Sequence, residues 1–108
     1  MQRVEEGEVD EWLEYVIEDE FVEGIEDAGW ITLKGDKVKR GFSDRFCFGH
    51  GHRVVIVEFK SAFAPKNRKG EKLQDHYRQM FRDRGFDCRK VKGMNEACDL
   101  LLEIEQWG

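Results

Sequence analysis

The stretch Gly41-Phe42-Ser43-Asp44-Arg45-Phe46-Cys47-Phe48, then Gly49-His50-Gly51-His52, then Arg53-Val54-Val55-Ile56-Val57-Glu58-Phe59-Lys60, decides how this chain is read. Two apolar runs joined by a short glycine-rich turn spell a β-hairpin. The second run holds four β-branched residues in succession, the composition of a central strand buried on both faces. It ends in Glu58-Phe59-Lys60. Alternate side chains of a strand share a face, so Glu58 and Lys60 project together while Phe59 turns into the core. If the 42–48 run pairs with the 53–59 run, Asp44 comes to lie beside them. Two carboxylates and an amine on one sheet surface form a candidate site for a divalent cation and a phosphate.

Outward from the hairpin, the chain alternates between helical and extended patterns. Upstream, Val9, Trp12, Leu13, Val16, Ile17, Phe21 and Ile25 recur at spacings of three and four, which predicts an amphipathic helix over 9–25 closed by Gly29. Residues 30–34 read as a short strand, followed by the polar turn Gly35-Asp36-Lys37. Downstream, 61–70 is a loop with the chain's one proline, Pro65, and the basic residues Lys66, Arg68 and Lys69. Leu73, Tyr77, Met80 and Phe81 predict a second amphipathic helix over 71–84, ending before Gly85. A fourth strand over 86–91 and a last helix over 96–104 follow. The order α-β-β-β-α-β-α predicts an α/β sandwich around a four-stranded mixed sheet, in one domain spanning 1–108. Trp107 stands near the end as a loose tail or an interface anchor.

Composition narrows the partners. No run approaches the ~18 apolar residues of a membrane-spanning helix, and the N-terminus lacks the basic-then-apolar layout of a signal peptide, so a cytoplasmic protein is expected. Cys47, Cys88 and Cys98 contain no CxxC pair and are odd in number, which fits buried thiols better than disulfides. His50 and His52 alternate with glycines and have no HxxxH or CxxC partner, so they read as hairpin loop and not as a zinc site. The net charge of −5 is unevenly distributed. Residues 1–29 carry twelve acids and one base, residues 30–92 seventeen bases and seven acids, and residues 93–108 four acids. The central block has the charge of a polyphosphate-binding surface.

Phosphodiester hydrolysis requires charge neutralisation at the phosphate, an activated water and stabilisation of the leaving oxygen. Magnesium held by one or two carboxylates with several waters suits the first two needs, and a nearby lysine can hold the water or offset developing charge. Asp44, Glu58 and Lys60 are of these types, and the backbone carbonyl of Phe59 could add a hard oxygen ligand. Glu-x-Lys on a strand alone also occurs by chance as a surface ion pair. Asp44 fourteen residues upstream, the basic loop and the basic second helix make the set more specific.

These residues resemble the PD-(D/E)XK nucleases, and most closely the virus-type replication-repair nuclease (VRR-NUC) branch. Gly41-Phe42-Ser43-Asp44-Arg45 resembles that branch's Gly-x-Pro-Asp-Arg turn, Val55-Ile56-Val57-Glu58-Phe59-Lys60 its apolar strand ending in Glu-x-Lys, and Gln74 its downstream glutamine. Glu14-x-x-Ile17-Glu18 is similar to its first-helix signature. The likeness covers about 11–92. It implies a restriction-endonuclease-like αβββαβ core, here with an extra C-terminal helix. It also implies that Asp44 and Glu58 ligate Mg2+ (or Mn2+), that Lys60 is the catalytic amine, and that Gln74 positions the site. Glu14, or Glu18 in its place, would be the helical carboxylate. Ser43 departs from the usual proline, a stiffening residue, but serine can occupy the same backbone region. The resemblance further implies an endonuclease on branched DNA (four-way junctions or flaps), similar to phage-encoded junction-cleaving homodimers, with no small-molecule substrate. Lys66, Arg68, Lys69, Arg78 and Arg45 are the expected DNA contacts. A sequence-specific restriction-type cutter, or a non-catalytic nucleic-acid-binding module on the same fold, is the alternative.

Overall fold

Seven residues, Val54–Lys60, four of them β-branched in succession, form the strand on which the sheet is built; six of the seven are buried, on both faces. A computed structural model describes residues 1–65 and 70–107. The elements in chain order are α1 (Glu14–Asp27), β1 (Ile31–Lys34), a single 3-10 turn (Gly35–Lys37), β2 (Arg45–Phe48), β3 (Val54–Lys60), α2 (Glu71–Asp83), β4 (Asp87–Lys92) and α3 (Gly93–Gln106). The sheet order is β1-β2-β3-β4. β1 pairs antiparallel with β2, and β2 with β3. β4 joins β3 from the other side after the α2 crossover, which makes the sheet mixed. The predicted element order is observed throughout. Among the described residues, no helix is long and apolar enough to cross a membrane.

The hairpin between β2 and β3 closes through Gly51 (φ 67°) and His52 (φ 64°), with Gly49 N–H donating to Arg53 O at 2.8 Å. Two successive left-handed residues match the twist of the flanking strands. His52 is the one non-glycine residue with positive φ among those described, so the histidines serve the turn.

Three element boundaries differ from expectation, each for a tertiary reason. The first helix starts at Glu14, not at residue 9, and Val9, Trp12 and Leu13 are exposed. Asp10 is drawn instead to the start of α3, where its Oδ2 accepts the Asn95 N–H at 3.3 Å. Val4 N–H donates to Asn95 Oδ1 at 2.7 Å, which fixes the N-terminal arm as a non-helical strap. α3 in turn starts three residues earlier than expected, because Asp10 satisfies one of its otherwise orphaned N–H groups. β2 starts at Arg45, since residues 35–44 form a tight turn with Phe42 N–H on Lys39 O and Gly35 N–H on Asp44 O.

The chain falls into two compact units: Met1–Gly29 with Phe59–Ala64 and Val91–Gly108, and Trp30–Glu58 with Pro65–Lys90. In the first, Ile17, Phe21 and Ile25 of α1 are fully buried, as are Ala97, Leu101 and Ile104 of α3 to within a few per cent. A side chain at Gly24 would run into Leu101, so the glycine lets α1 and α3 approach closely. Phe59 meets Phe21 edge-on, with ring centroids 5.3 Å apart. The second unit is held by an aromatic cluster in which Phe42, Phe46 and Phe81 meet at centroid distances of 5.3–5.6 Å. Cys47, Cys88 and Cys98 are all buried and none forms a disulfide among the described residues, as their number suggested.

Candidate active site

β2 and β3 pair as Arg45↔Val57, Phe46↔Ile56, Cys47↔Val55 and Phe48↔Val54. The ladder ends there, so Asp44 immediately precedes the paired part of β2 and Glu58 is the next residue of β3. On the other side, β1 pairs Lys34 with Arg45, and Gly35 N–H bonds to Asp44 O at 2.9 Å. Glu58 and Lys60 occupy alternate positions of β3, and Phe59 between them packs the other way, onto Phe21.

Glu58 has no exposed surface. Its Oε2 accepts from Arg78 Nη1 at 3.3 Å, while its Oε1 is buried and has no hydrogen-bond partner among the described residues. A buried carboxylate oxygen lacking a donor is costly, and in a native site it points to an ion or water as its partner. Lys60 is also buried, at 8% exposure, and Ser43, standing where a proline was the pattern, is buried at 4%. Ser43 O would lie 2.3 Å from a side chain at Gly35, so the turn before Asp44 is held by a close backbone approach without proline's ring.

Arg78 was expected on a DNA-facing surface. It is instead 14% exposed and shared between Glu58 and Asp75 Oδ1, the latter at 2.5 Å. Sequence reasoning missed this contact, although Gln74 and Arg78 stand four apart on one side of α2. Gln74 is half-buried in the first turn of α2. Arg45 Nη1 donates to Thr32 Oγ1 at 3.3 Å. Glu14 opens α1 half-buried, whereas Glu18, one turn on, is buried. Lys66, Arg68 and Lys69 lie outside the described residues.

The donor set discriminates among metals. Among the described residues no three His, Cys, Asp or Glu side chains gather as a metal cluster. A buried carboxylate oxygen with no hydrogen-bond partner among the described residues is a hard donor, the type that Mg2+ and Mn2+ take. Cysteine nucleophilic chemistry is not favoured at Cys88. Burial pushes its thiol up from the ordinary value, Arg82 pulls it back only in part, and it stays protonated at neutral pH. A hollow of about 530 Å3 lies along the N-terminal arm, lined by Arg3, Glu5, Glu8, Glu11 and Trp12 among others. Its acidic lining suits no phosphate, and none of the expected site residues borders it.

Among solved structures, the chain is similar to a VRR_NUC domain, with a TM-score of 0.63 and 23% identity over 83% of this chain and 94% of that one. No family model and no curated protein matches the sequence. The chain has the restriction-endonuclease-like α/β fold of that domain, in agreement with the resemblance in the sequence.

Proposed function

We propose that this chain is a divalent-metal-dependent endonuclease of the PD-(D/E)XK type that cuts branched DNA, four-way junctions or flaps, as a homodimer in the cytoplasm. One observation supports the reading most: Glu58, on the buried strand β3, has an Oε1 that is buried and has no hydrogen-bond partner among the described residues. Asp44, Glu58 and the Phe59 carbonyl would hold Mg2+, with Mn2+ as a substitute, and Glu14 or Glu18 is the proposed further carboxylate. Such an ion lowers the pKa of a bound water and neutralises phosphate charge. Lys60 would orient the attacking water and offset charge developing on the phosphate. Gln74 would position the scissile group from the first turn of α2.

The basic residues Lys66, Arg68 and Lys69 follow β3 directly in sequence and are the proposed backbone contacts. Arg45 and Arg78, the other two candidates, have internal partners in Thr32 and in Glu58 with Asp75. They would meet a phosphate only by exchanging these. The homodimer draws support from β1, an edge strand. α2 covers the Phe46 end of its face through Phe81, while Ile31 (71%), Leu33 (47%) and Phe48 (40%) on the same face are exposed. A large exposed apolar patch beside an open edge is what a two-fold partner would cover.

The Arg78–Glu58 ion pair favours one second reading, a non-catalytic DNA-binding module with a structural carboxylate. The orphaned Oε1 counts against it. End-labelled junction, flap, duplex and single-stranded DNA, each with Mg2+, Mn2+ or EDTA, separates the two. Metal-dependent cutting of a branched substrate is expected, lost by at least about a hundredfold in Lys60→Ala while binding survives. Cutting that persists in both Lys60→Ala and Glu58→Ala would falsify the assignment.

A further inference from the structure

α2 is the most strongly two-sided helix of the chain, yet none of its thirteen residues is fully buried. Its apolar stripe is only half covered, and the uncovered part is a pocket. Lys39, Phe42, Tyr77, Met80, Phe81 and Arg84 line a hollow of about 210 Å3. Phe42 presents its ring edge-to-face to both Tyr77 (5.1 Å, 79°) and Phe81 (5.5 Å, 77°). Lys39 Nζ lies 5.4 Å from the Tyr77 ring centre. Arg84 binds the Met80 carbonyl with one Nη, leaving the rest of its five-donor fork available.

Size and charge decide what this hollow can take. Pockets for drug-sized ligands run to roughly 300–1,000 Å3, so 210 Å3 admits a single planar ring system and no whole nucleotide. Its floor is aromatic and thioether, surfaces that stack against π-faces irrespective of base identity. Its two lining cations, Lys39 with Lys37 and Arg40 beside it in the sequence, and Arg84 with Arg82 beside it, suit an anionic backbone leading into and out of it. We infer that this pocket receives one unstacked nucleobase of a DNA strand, with Lys39 and Arg84 on the flanking phosphates. The inference rests on the DNA-binding part of the proposed function. It also places the pocket next to the candidate site along the chain: Phe42 precedes Asp44 by two residues, and Tyr77 precedes Arg78, the partner of Glu58. A strand whose base is parked here is unpaired there, which is how a nuclease would prefer branch points to continuous duplex.

Binding in EDTA separates this from cleavage. The full chain is titrated against a flap and a matched continuous duplex, each with 2-aminopurine placed in turn at positions around the branch. The flap is expected to bind about tenfold tighter than the duplex, the scale of one base–aromatic stack, with 2-aminopurine emission changing at one unpaired position. Tyr77→Leu, which keeps an apolar side chain but no π-face, should lose both the preference and the emission change while holding its duplex affinity. The surface double variant Lys39→Ala/Arg84→Ala provides the same test should Tyr77→Leu fail to fold. Wild-type flap affinity in a folded Tyr77→Leu, or in the double variant, would overturn the inference, as would unchanged emission at every unpaired position. A pocket-dependent flap preference without cutting when Mg2+ is added would uphold the base pocket and sink the nuclease. Cutting of flaps with no pocket dependence would do the reverse.

Discussion

At Glu58 a carboxylate with no exposed surface is met by a single guanidinium, and at 3.3 Å rather than the 2.7–2.9 Å usual for charge-assisted pairs. Such a pair contributes little net stability, but removing one partner strands the other charge in the interior, at a cost of about 3 kcal/mol. Arg78→Ala is therefore expected to lower Tm by about 10 °C or more in a chain of this size. Glu58→Gln keeps the shape without the charge and should cost far less. The double variant Glu58→Gln/Arg78→Ala should be more stable than Arg78→Ala alone, since no buried charge is left unpaired. Urea denaturation of the four proteins gives the coupling directly, and additive losses would mean that Arg78 does not compensate Glu58.

The turn before the hairpin and α2 meet at Gly41, where two demands coincide. Its φ is +91°, and a side chain there would lie 2.5 Å from Leu73 Cγ and 3.1 Å from the Tyr77 ring. Gly85 offers a control on the far end of α2, with φ +89° and nothing within 4 Å. Gly85→Ala should cost only the left-handed strain, about 1–2 kcal/mol. Gly41→Ala adds crowding against α2 and should exceed it by about 1–3 kcal/mol, measured as the difference in unfolding free energy. If the two substitutions cost the same, α2 does not press on the turn. Elements such as these also show what the chain's own pattern makes legible. The hairpin and the alternation that puts Glu58 and Lys60 on one side of β3 follow from local signals, apolar runs and glycine placement, whereas the register is seen only in the structure. The start of α1 was misread because Val9, Trp12 and Leu13 keep helical spacing, while Asp10 is recruited by the N-terminus of α3, eighty-five residues away. Arg78's partner is equally non-local, twenty residues off on β3, and no period in α2 announces it. Of the candidate site, residue types and strand face could be read from sequence; burial, the orphaned oxygen and the pocket beside Tyr77 required packing.

Over the whole molecule, the two units keep most of the charge separation seen along the sequence. The unit of Met1–Gly29, Phe59–Ala64 and Val91–Gly108 carries sixteen acids and three bases, and that of Trp30–Glu58 and Pro65–Lys90 fifteen bases and seven acids. A formal −13 and +8 underlie the bulk −5, so an isoelectric point of about 5.2 says nothing about either surface. The acidic unit repels a polyanion over roughly 10 Å at 0.1 M salt, which leaves the basic unit as the surface DNA can approach. Binding should then be electrostatic and steeply salt-dependent, with log K falling linearly in log[KCl] by about 0.9 for each phosphate neutralised on duplex arms. Replacing Lys66, Arg68 and Lys69 together by alanine removes three such contacts and should flatten that slope by about 2–3, with no change in which branched substrate is preferred. Fluorescence anisotropy from 50 to 200 mM KCl on duplex and junction DNA reads both quantities at once. A slope unmoved by the triple substitution would take Lys66, Arg68 and Lys69 out of the DNA interface, whereas a lost junction preference would mean that these residues read the branch as well as the backbone.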